Sequence, residues 1–224
     1  MTYFFKASVG RKVLVGLSGL FLFSFILVHL AVNSFLLAGP EAYNKAANFM
    51  ATDPLVQIIE PLLAIGFLLH IIYSVWLTYL NQKTRPQKYL KVDQSKSATW
   101  SSRNMFVLGG LILIFLVIHI SNFWFKMTFG EIGYVEYNGE TMKDAYTMVT
   151  ASFSIWWYVL IYFVAFILLG FHLSHGFQSA FQTIGVSNRI WKKRWTVLGN
   201  ILSVIIAAGF SVIALYFFIK DLIS

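Results

Sequence analysis

The sequence predicts an all-α integral membrane protein with five spanning helices. Three observations carry that expectation. Hydrophobic residues make up 58% of the 224 residues and charged residues only 12%, against roughly 25% charged in a soluble domain. Five apolar runs each reach the length of about 20 residues that a helix needs to cross hydrocarbon. The cationic residues then gather in every second connection between those runs, as topology-setting charges do.

The runs fall at about 13–38, 55–80, 105–125, 153–178 and 197–219. The segment Met1–Lys12 is basic, but the run behind it is too long for a cleaved signal peptide and is read as the first span. The connection Gly39–Pro54 has Pro near each end and is expected to hold a short surface helix. The connection 126–152 is the longest on its side. Trp and Tyr gather near span ends (Tyr79, Trp100, Trp124, Trp156, Trp157, Trp195), where interfacial anchors sit. There is no internal repeat and no low-complexity segment, so residues 1–224 read as a single membrane-embedded domain.

Orientation follows from charge. Lys6, Arg11 and Lys12 precede span 1. Lys83, Arg85, Lys88, Lys91, Lys96 and Arg103 lie between spans 2 and 3, and Arg189, Lys192, Lys193 and Arg194 between spans 4 and 5. All but four of the 17 Lys and Arg therefore share one side. The other side holds Lys45, Lys126, Lys143 and Lys220 among Glu41, Asp53, Glu131, Glu136, Glu140, Asp144 and Asp221. The expectation is a cytoplasmic N-terminus and an outer C-terminus. The net charge of +8 is thus a topology signal. Without a basic domain there is no nucleic-acid footprint, and the expected surroundings are lipid. Cys is absent, which excludes disulfides, Cys-ligated clusters and covalent haem attachment through C-x-x-C-H.

All five histidines lie in apolar runs. An ionisable residue in hydrocarbon is costly and marks a functional site by default. Depth sorts them, because an α-helix rises 1.5 Å per residue. Measured from the span midpoints, His29 lies roughly 4–5 Å and His119 roughly 6 Å towards the outside. Spans 2 and 4 run the other way, so His70 lies roughly 4 Å and His172 roughly 10 Å towards the cytoplasm. This gives an outer pair, His29 with His119, and an inner pair, His70 with His172. His175 falls at the cytoplasmic edge of the hydrocarbon, on a neighbouring helix face. It is expected to cap a propionate, contact a partner or, less favoured on depth, replace His172.

Two imidazoles from facing helices are what a six-coordinate haem iron needs, and a flat apolar porphyrin fits between bundle helices. Gly16, Gly19, Gly66, Gly109, Gly110, Gly170 and Gly176 lie near these histidines, although small residues in membrane helices also serve helix contacts. Zinc fits less well, since its catalytic sites usually recruit three protein ligands. Two non-covalent bis-histidine b haems are the favoured reading. A proton-coupled transporter with a histidine relay and a structural anchor without haem remain as alternatives.

Glu60, followed by Pro61, sits at the outer end of span 2. It reads either as a carboxylate favoured by the helix dipole or as a proton acceptor for quinol. Glu41 carries the same two readings. Asn33, one turn after His29, either hydrogen-bonds a ligand or quinone or simply satisfies itself.

These residues resemble a known family. The stretches HLAVNSFLLAGPEAYNKAANFM (29–50), LLHIIYSVW (68–76), FVLGGLILIFLVIHI (106–120) and FHLSHGFQSAFQTIG (171–185) are similar to the di-haem cytochrome b membrane anchor of succinate:quinone oxidoreductase. This is the single-subunit five-helix type found with succinate dehydrogenases and fumarate reductases. The resemblance implies that the first four helices form a bundle around two haems. His29 and His119 would hold the outer haem iron, and His70 and His172 the inner one. It implies a subunit that binds no dicarboxylate and anchors a flavoprotein and an iron–sulfur subunit on its cytoplasmic face. Electrons would pass between the iron–sulfur subunit and a quinone, expected to be menaquinone, in a bacterial cytoplasmic membrane. A homodimer of the complex is a further implication. A di-haem anchor of a hydrogenase or formate dehydrogenase is the nearest competing reading. No residue here cleanly matches the glutamate that serves menaquinol chemistry in one branch of the family.

Overall fold

A chain in hydrocarbon must satisfy its backbone polar groups within each segment, which leaves the helix as the simplest solution. The computed structural model describes residues 8–83 and 99–223, and most of them are helical. Helix α1 (Ser8–Ser34) runs into a 3₁₀ turn (Phe35–Ala38). The turn ends at Gly39, whose φ of +110° favours glycine. Helix α2 (Pro40–Thr52) is the short helix expected between spans 1 and 2, with Pro in its first turn. Helix α3 (Pro54–Lys83) follows at once. The Asp53 carboxylate accepts from the N–H groups of Leu55 at 2.9 Å and Val56 at 3.2 Å, capping its start.

That start corrects the reading of Glu60. Asp53 and Pro54 fill the cap and first helical positions, so Glu60 and Pro61 lie about two turns inside α3 rather than opening it. The helix dipole acts within the first turn, so it does not account for Glu60.

After Thr99 come the single turn α4 (Trp100–Arg103) and α5 (Met105–His119). A π-turn (Ile120–Trp124) then leads into α6 (Phe125–Phe129). The connection beyond it is not an open loop. Strands β1 (Tyr134–Tyr137) and β2 (Glu140–Lys143) form an antiparallel hairpin with Tyr134 opposite Lys143. Asn138 and Gly139 both have positive φ, as the Asn-Gly turn of a two-residue hairpin requires. Helix α7 (Ala145–Phe153) follows, capped by Asp144.

Helix α8 (Trp156–Thr183) begins three residues later than the hydropathy run. The backbone breaks at Ser154, which closes α7. Helix α9 (Arg189–Ile223) begins eight residues earlier than the apolar run. Hydropathy stops at charges, whereas helix propensity does not: Lys and Arg are good helix formers. Arg189, Lys192, Lys193 and Arg194 are therefore helical rather than loop residues. Arg194 lies over the Trp191 ring at 4.9 Å, and Arg11 over Trp76 at 4.5 Å. Lys6, Arg85, Lys88, Lys91 and Lys96 lie outside the described residues.

Five helical stretches are long and apolar enough to cross a membrane: Val9–Ala38, Pro54–Lys83, Met105–Phe129, Trp156–Thr183 and Arg189–Ile223. Their large side chains are turned outward. On α3, Ile58, Leu62, Ile65, Leu69, Ile72, Trp76 and Tyr79 are all exposed at helical spacing. An apolar stripe of this extent belongs against lipid. The protein is an all-α integral membrane protein.

The chain groups into two compact units. One contains the described parts of Met1–Phe25, Pro61–Gly110 and Phe171–Ser203. The other contains Ile26–Glu60, Leu111–Gly170 and the described part of Val204–Ser224. In the second unit, Asn44 is completely buried and ties α2 to the hairpin and α7. Its amide donates to Asp144 at 3.1 Å and accepts from the N–H of Tyr146 at 2.8 Å. Burial pushes the Asp144 carboxyl up, but hydrogen bonds from Thr147 and Asn44 outweigh it and hold the group below its usual range.

Candidate cofactor sites

The first unit holds His70 from α3 and His172 from α8. Their ring centroids are 6.3 Å apart with planes at 76°. Glycine makes room for the His70 ring, while at His172 an added Cβ would meet the ring only at ordinary contact distance. A Cβ on Gly19 would stand 3.2 Å from His70 Cε1, and one on Gly109 would stand 3.8 Å from His172 Cε1. Ser18 Oγ lies 3.4 Å from His70 Nδ1 while donating to the Leu14 carbonyl at 2.8 Å. His172 Nδ1 is buried without a hydrogen-bond partner. His175, one turn further along α8, is only partly buried and is not part of the ring pair.

The second unit holds His29 from α1 and His119 from the end of α5. Their centroids are 5.7 Å apart with planes at 89°. Asn33 donates to the His29 carbonyl at 2.8 Å and lies 3.4 Å from His29 Nδ1. His119 Nδ1 lies 3.2 Å from the Tyr162 hydroxyl. Tyr162 accepts from Tyr158 at 3.0 Å. Tyr158 accepts from the Asn122 amide, and Asn122 Oδ1 accepts from Lys126 Nζ at 2.7 Å. Phe115 and Phe123 flank His119, and Phe210 flanks His29.

The carboxylates divide. Glu41 is exposed and paired with Lys45 at 2.7 Å. Glu60 accepts from Trp124 Nε1, on the π-turn, at 2.5 Å. The residues that sequence reasoning missed are Ser18, Tyr158, Tyr162 and Asn122. Each is a polar side chain inside an apolar run, the same signal that marked the histidines. Tyr158 and Tyr162 are also four apart on one helix face.

This donor set fits haem. Near His70 and His119, Nδ1 faces a hydroxyl oxygen that can accept its proton, which leaves Nε2 for a metal. The Asn33 amide nitrogen near His29 Nδ1 is a donor that is already bonded to the His29 carbonyl. Metal–imidazole nitrogen bonds are about 2 Å. With a ring nitrogen about 1.2 Å from its centroid, an atom held in line between two imidazoles spaces their centroids by about 6.4 Å. The His70–His172 pair has that spacing at 6.3 Å, and the His29–His119 pair is closer at 5.7 Å. Among the described residues no group of three or more His, Asp or Glu side chains gathers as a metal cluster. Two nitrogens alone suit an iron whose other positions are filled by a porphyrin.

Fold and sites together define a multi-pass helical membrane protein built around two pairs of histidines. The chain is similar to the succinate dehydrogenase cytochrome b558 subunit of Bacillus subtilis (strain 168), at 26% identity over 164 residues covering 73% of each chain. It is thus a relative of a succinate dehydrogenase cytochrome b subunit, and a multi-pass protein of a bacterial membrane. No protein-family profile matches the chain, and no solved structure matches it.

Proposed function

We propose that this chain is the membrane anchor and electron-transfer subunit of a succinate:quinone oxidoreductase, working as one membrane-embedded domain. The observation that carries this reading is the two separate imidazole pairs, at 5.7 and 6.3 Å, in a relative of a succinate dehydrogenase cytochrome b subunit. His29 and His119 would hold an outer b haem, and His70 and His172 an inner one. Each haem, when bound, would supply a one-electron centre between the iron–sulfur subunit and quinone.

The chain's own residues do the rest. Tyr162 and Ser18 would accept from ring nitrogens, and outer-shell partners of this kind fix tautomer and ligand basicity. Gly19 keeps a side chain away from the His70 ring. Phe115, Phe123 and Phe210 exclude water from the outer pair. The quinone, expected to be menaquinone, would exchange its protons at the outer side. Of the three polar candidates, Asn33 is not ionisable, Glu41 is paired with the cation Lys45 and Glu60 has, among the described residues, only the neutral Trp124 as its hydrogen-bond donor, so Glu60 is the proton acceptor best suited to serve it. The flavoprotein and iron–sulfur subunits would bind on the cytoplasmic face, where the helical Arg11, Lys12, Arg189, Lys192, Lys193 and Arg194 gather. The whole complex is expected to form a homodimer. No dicarboxylate would bind to this chain.

The test is purification from membranes with its partners intact. A reduced-minus-oxidised visible spectrum should show b-type bands, and the preparation should contain a flavoprotein and an iron–sulfur protein and reduce quinone with succinate. Absence of b-type bands sinks the haem reading. A hydrogenase or formate dehydrogenase as co-purifying partner overturns the assignment to succinate.

A further inference from the structure

The line of hydrogen bonds from His119 to Lys126 is not needed to hold two imidazoles together, because His172 is held in its pair with a buried Nδ1 that has no partner. We propose that Tyr162, backed by Tyr158, Asn122 and Lys126, is a positioning residue that fixes the rotation and the proton of His119 and so sets the electronic character of the haem at the His29–His119 pair. The inference rests on the haem reading above.

A neutral imidazole that gives Nε2 to a metal carries its proton on Nδ1. That N–H needs an acceptor, and the Tyr162 oxygen stands 3.2 Å away. Tyr162 is only 2% exposed, and a hydroxyl so buried is costly unless bonded. Its ring is packed at 4.8 Å from Phe115, 5.4 Å from Phe153 and 5.8 Å from Phe166, so the phenol has no alternative position. The hydroxyl is braced from behind by Tyr158, then by Asn122, then by the exposed cation Lys126. The Tyr162 oxygen thus accepts from His119 on one side and from Tyr158 on the other, and Tyr158 is fixed in turn by Asn122. Asn122 lies in the π-turn that begins directly after His119. Single π-turns inside α-helices occur frequently at functional sites. Here the turn carries two tethers, Asn122 to Tyr158 on α8 and Trp124 to Glu60 on α3.

Donation from Nδ1–H raises the basicity of the ligating nitrogen and favours the oxidised metal. The planes of the His29 and His119 rings stand at 89°, and if both rings held an iron their relative rotation would bear on its low-spin ferric EPR signal. The test therefore uses the intact complex in its membrane, with redox titration followed by EPR and visible spectra. In Tyr162→Phe, the outer haem should titrate at a more positive midpoint and its largest g value should move, while the inner haem keeps both. The second variant is Tyr158→Phe, which keeps the Tyr162 hydroxyl and should displace the same outer-haem signal by less. It decides the matter if Tyr162→Phe fails to assemble. Unchanged midpoint and g value in an assembled variant, or equal displacement of both haems, overturns the inference. A wild-type complex without b-type haem fails the underlying reading instead, and is recognised before either variant is made.

Discussion

At the His70–His172 pair Gly19 leaves space beside the His70 ring, and His172 Nδ1 is buried without a hydrogen-bond partner. At the His29–His119 pair the rings are walled by phenylalanines, and a polar line leads from His119 to a surface lysine. The donor set is the same, two histidines from two helices, but it is held in two ways. One site is shaped by the removal of side chains and the other by the addition of hydrogen bonds. Two histidine pairs of one composition are thereby given unequal surroundings. Outer-shell contacts and local dielectric are the levers by which a protein separates otherwise identical metal groups.

The comparison breaks most sharply at the ligands themselves. His70→Ala and His172→Ala should each remove the same haem, and His29→Ala and His119→Ala the other, halving the b-type absorbance in the visible difference spectrum. Loss of a common haem by His70→Ala and His119→Ala would refute the pairing.

The next effect separates the glycine-shaped site from the hydrogen-bonded one. A Cβ at Gly66 would approach Phe21 Cδ1 to 2.9 Å, so Gly66→Val should destabilise the first unit by about 1–3 kcal/mol, the usual cost of overpacking. Gly19→Ala, 3.2 Å from His70 Cε1, should perturb the spectrum of the inner haem alone. Thermal melts of the purified protein and haem-resolved titrations check these in turn, and an unaffected His70 site would show that the glycine is not what shapes it.

The second unit carries the cap of α2, hairpin and α7, pinned by Asn44 and Asp144. Asn44→Ala should cost about 1–3 kcal/mol by removing its hydrogen bonds to the half-buried Asp144 and Tyr146, read as faster proteolysis of the segment 130–153. Asp144 has its carboxyl held below the usual range. The cap should therefore keep this contribution above the ordinary Asp range of about 4 and lose it as pH falls through the lowered value. Proteolysis of the cap that does not accelerate on acidification would remove Asp144 from the account.

The smallest expected effect is at Ser18. Its hydroxyl is 3.4 Å from His70 Nδ1 and already donates to Leu14, so Ser18→Ala should move the inner-haem midpoint far less than Tyr162→Phe moves the outer. A larger shift from Ser18→Ala would invert the comparison.

Composition and spacing by themselves determined the class of protein, the number of spans, the short helix after Gly39 and the four histidines as the groups of interest. The reason is physical: hydrocarbon imposes length and apolarity on a span, and an imidazole within it stands out. Helix ends were less legible. Hydropathy stops at Arg194, yet the helix continues back to Arg189, because charge and helicity are independent properties. The Asn138–Gly139 hairpin was readable from its turn residues but hidden inside what length alone made a loop. Only the tertiary structure decided what surrounds each histidine. Tyr162 reaches His119 across 43 residues, and Ser18 nears His70 across 52. Such partners are set by the rotation of one packed helix against another, which no periodicity along a single uniformly apolar helix records.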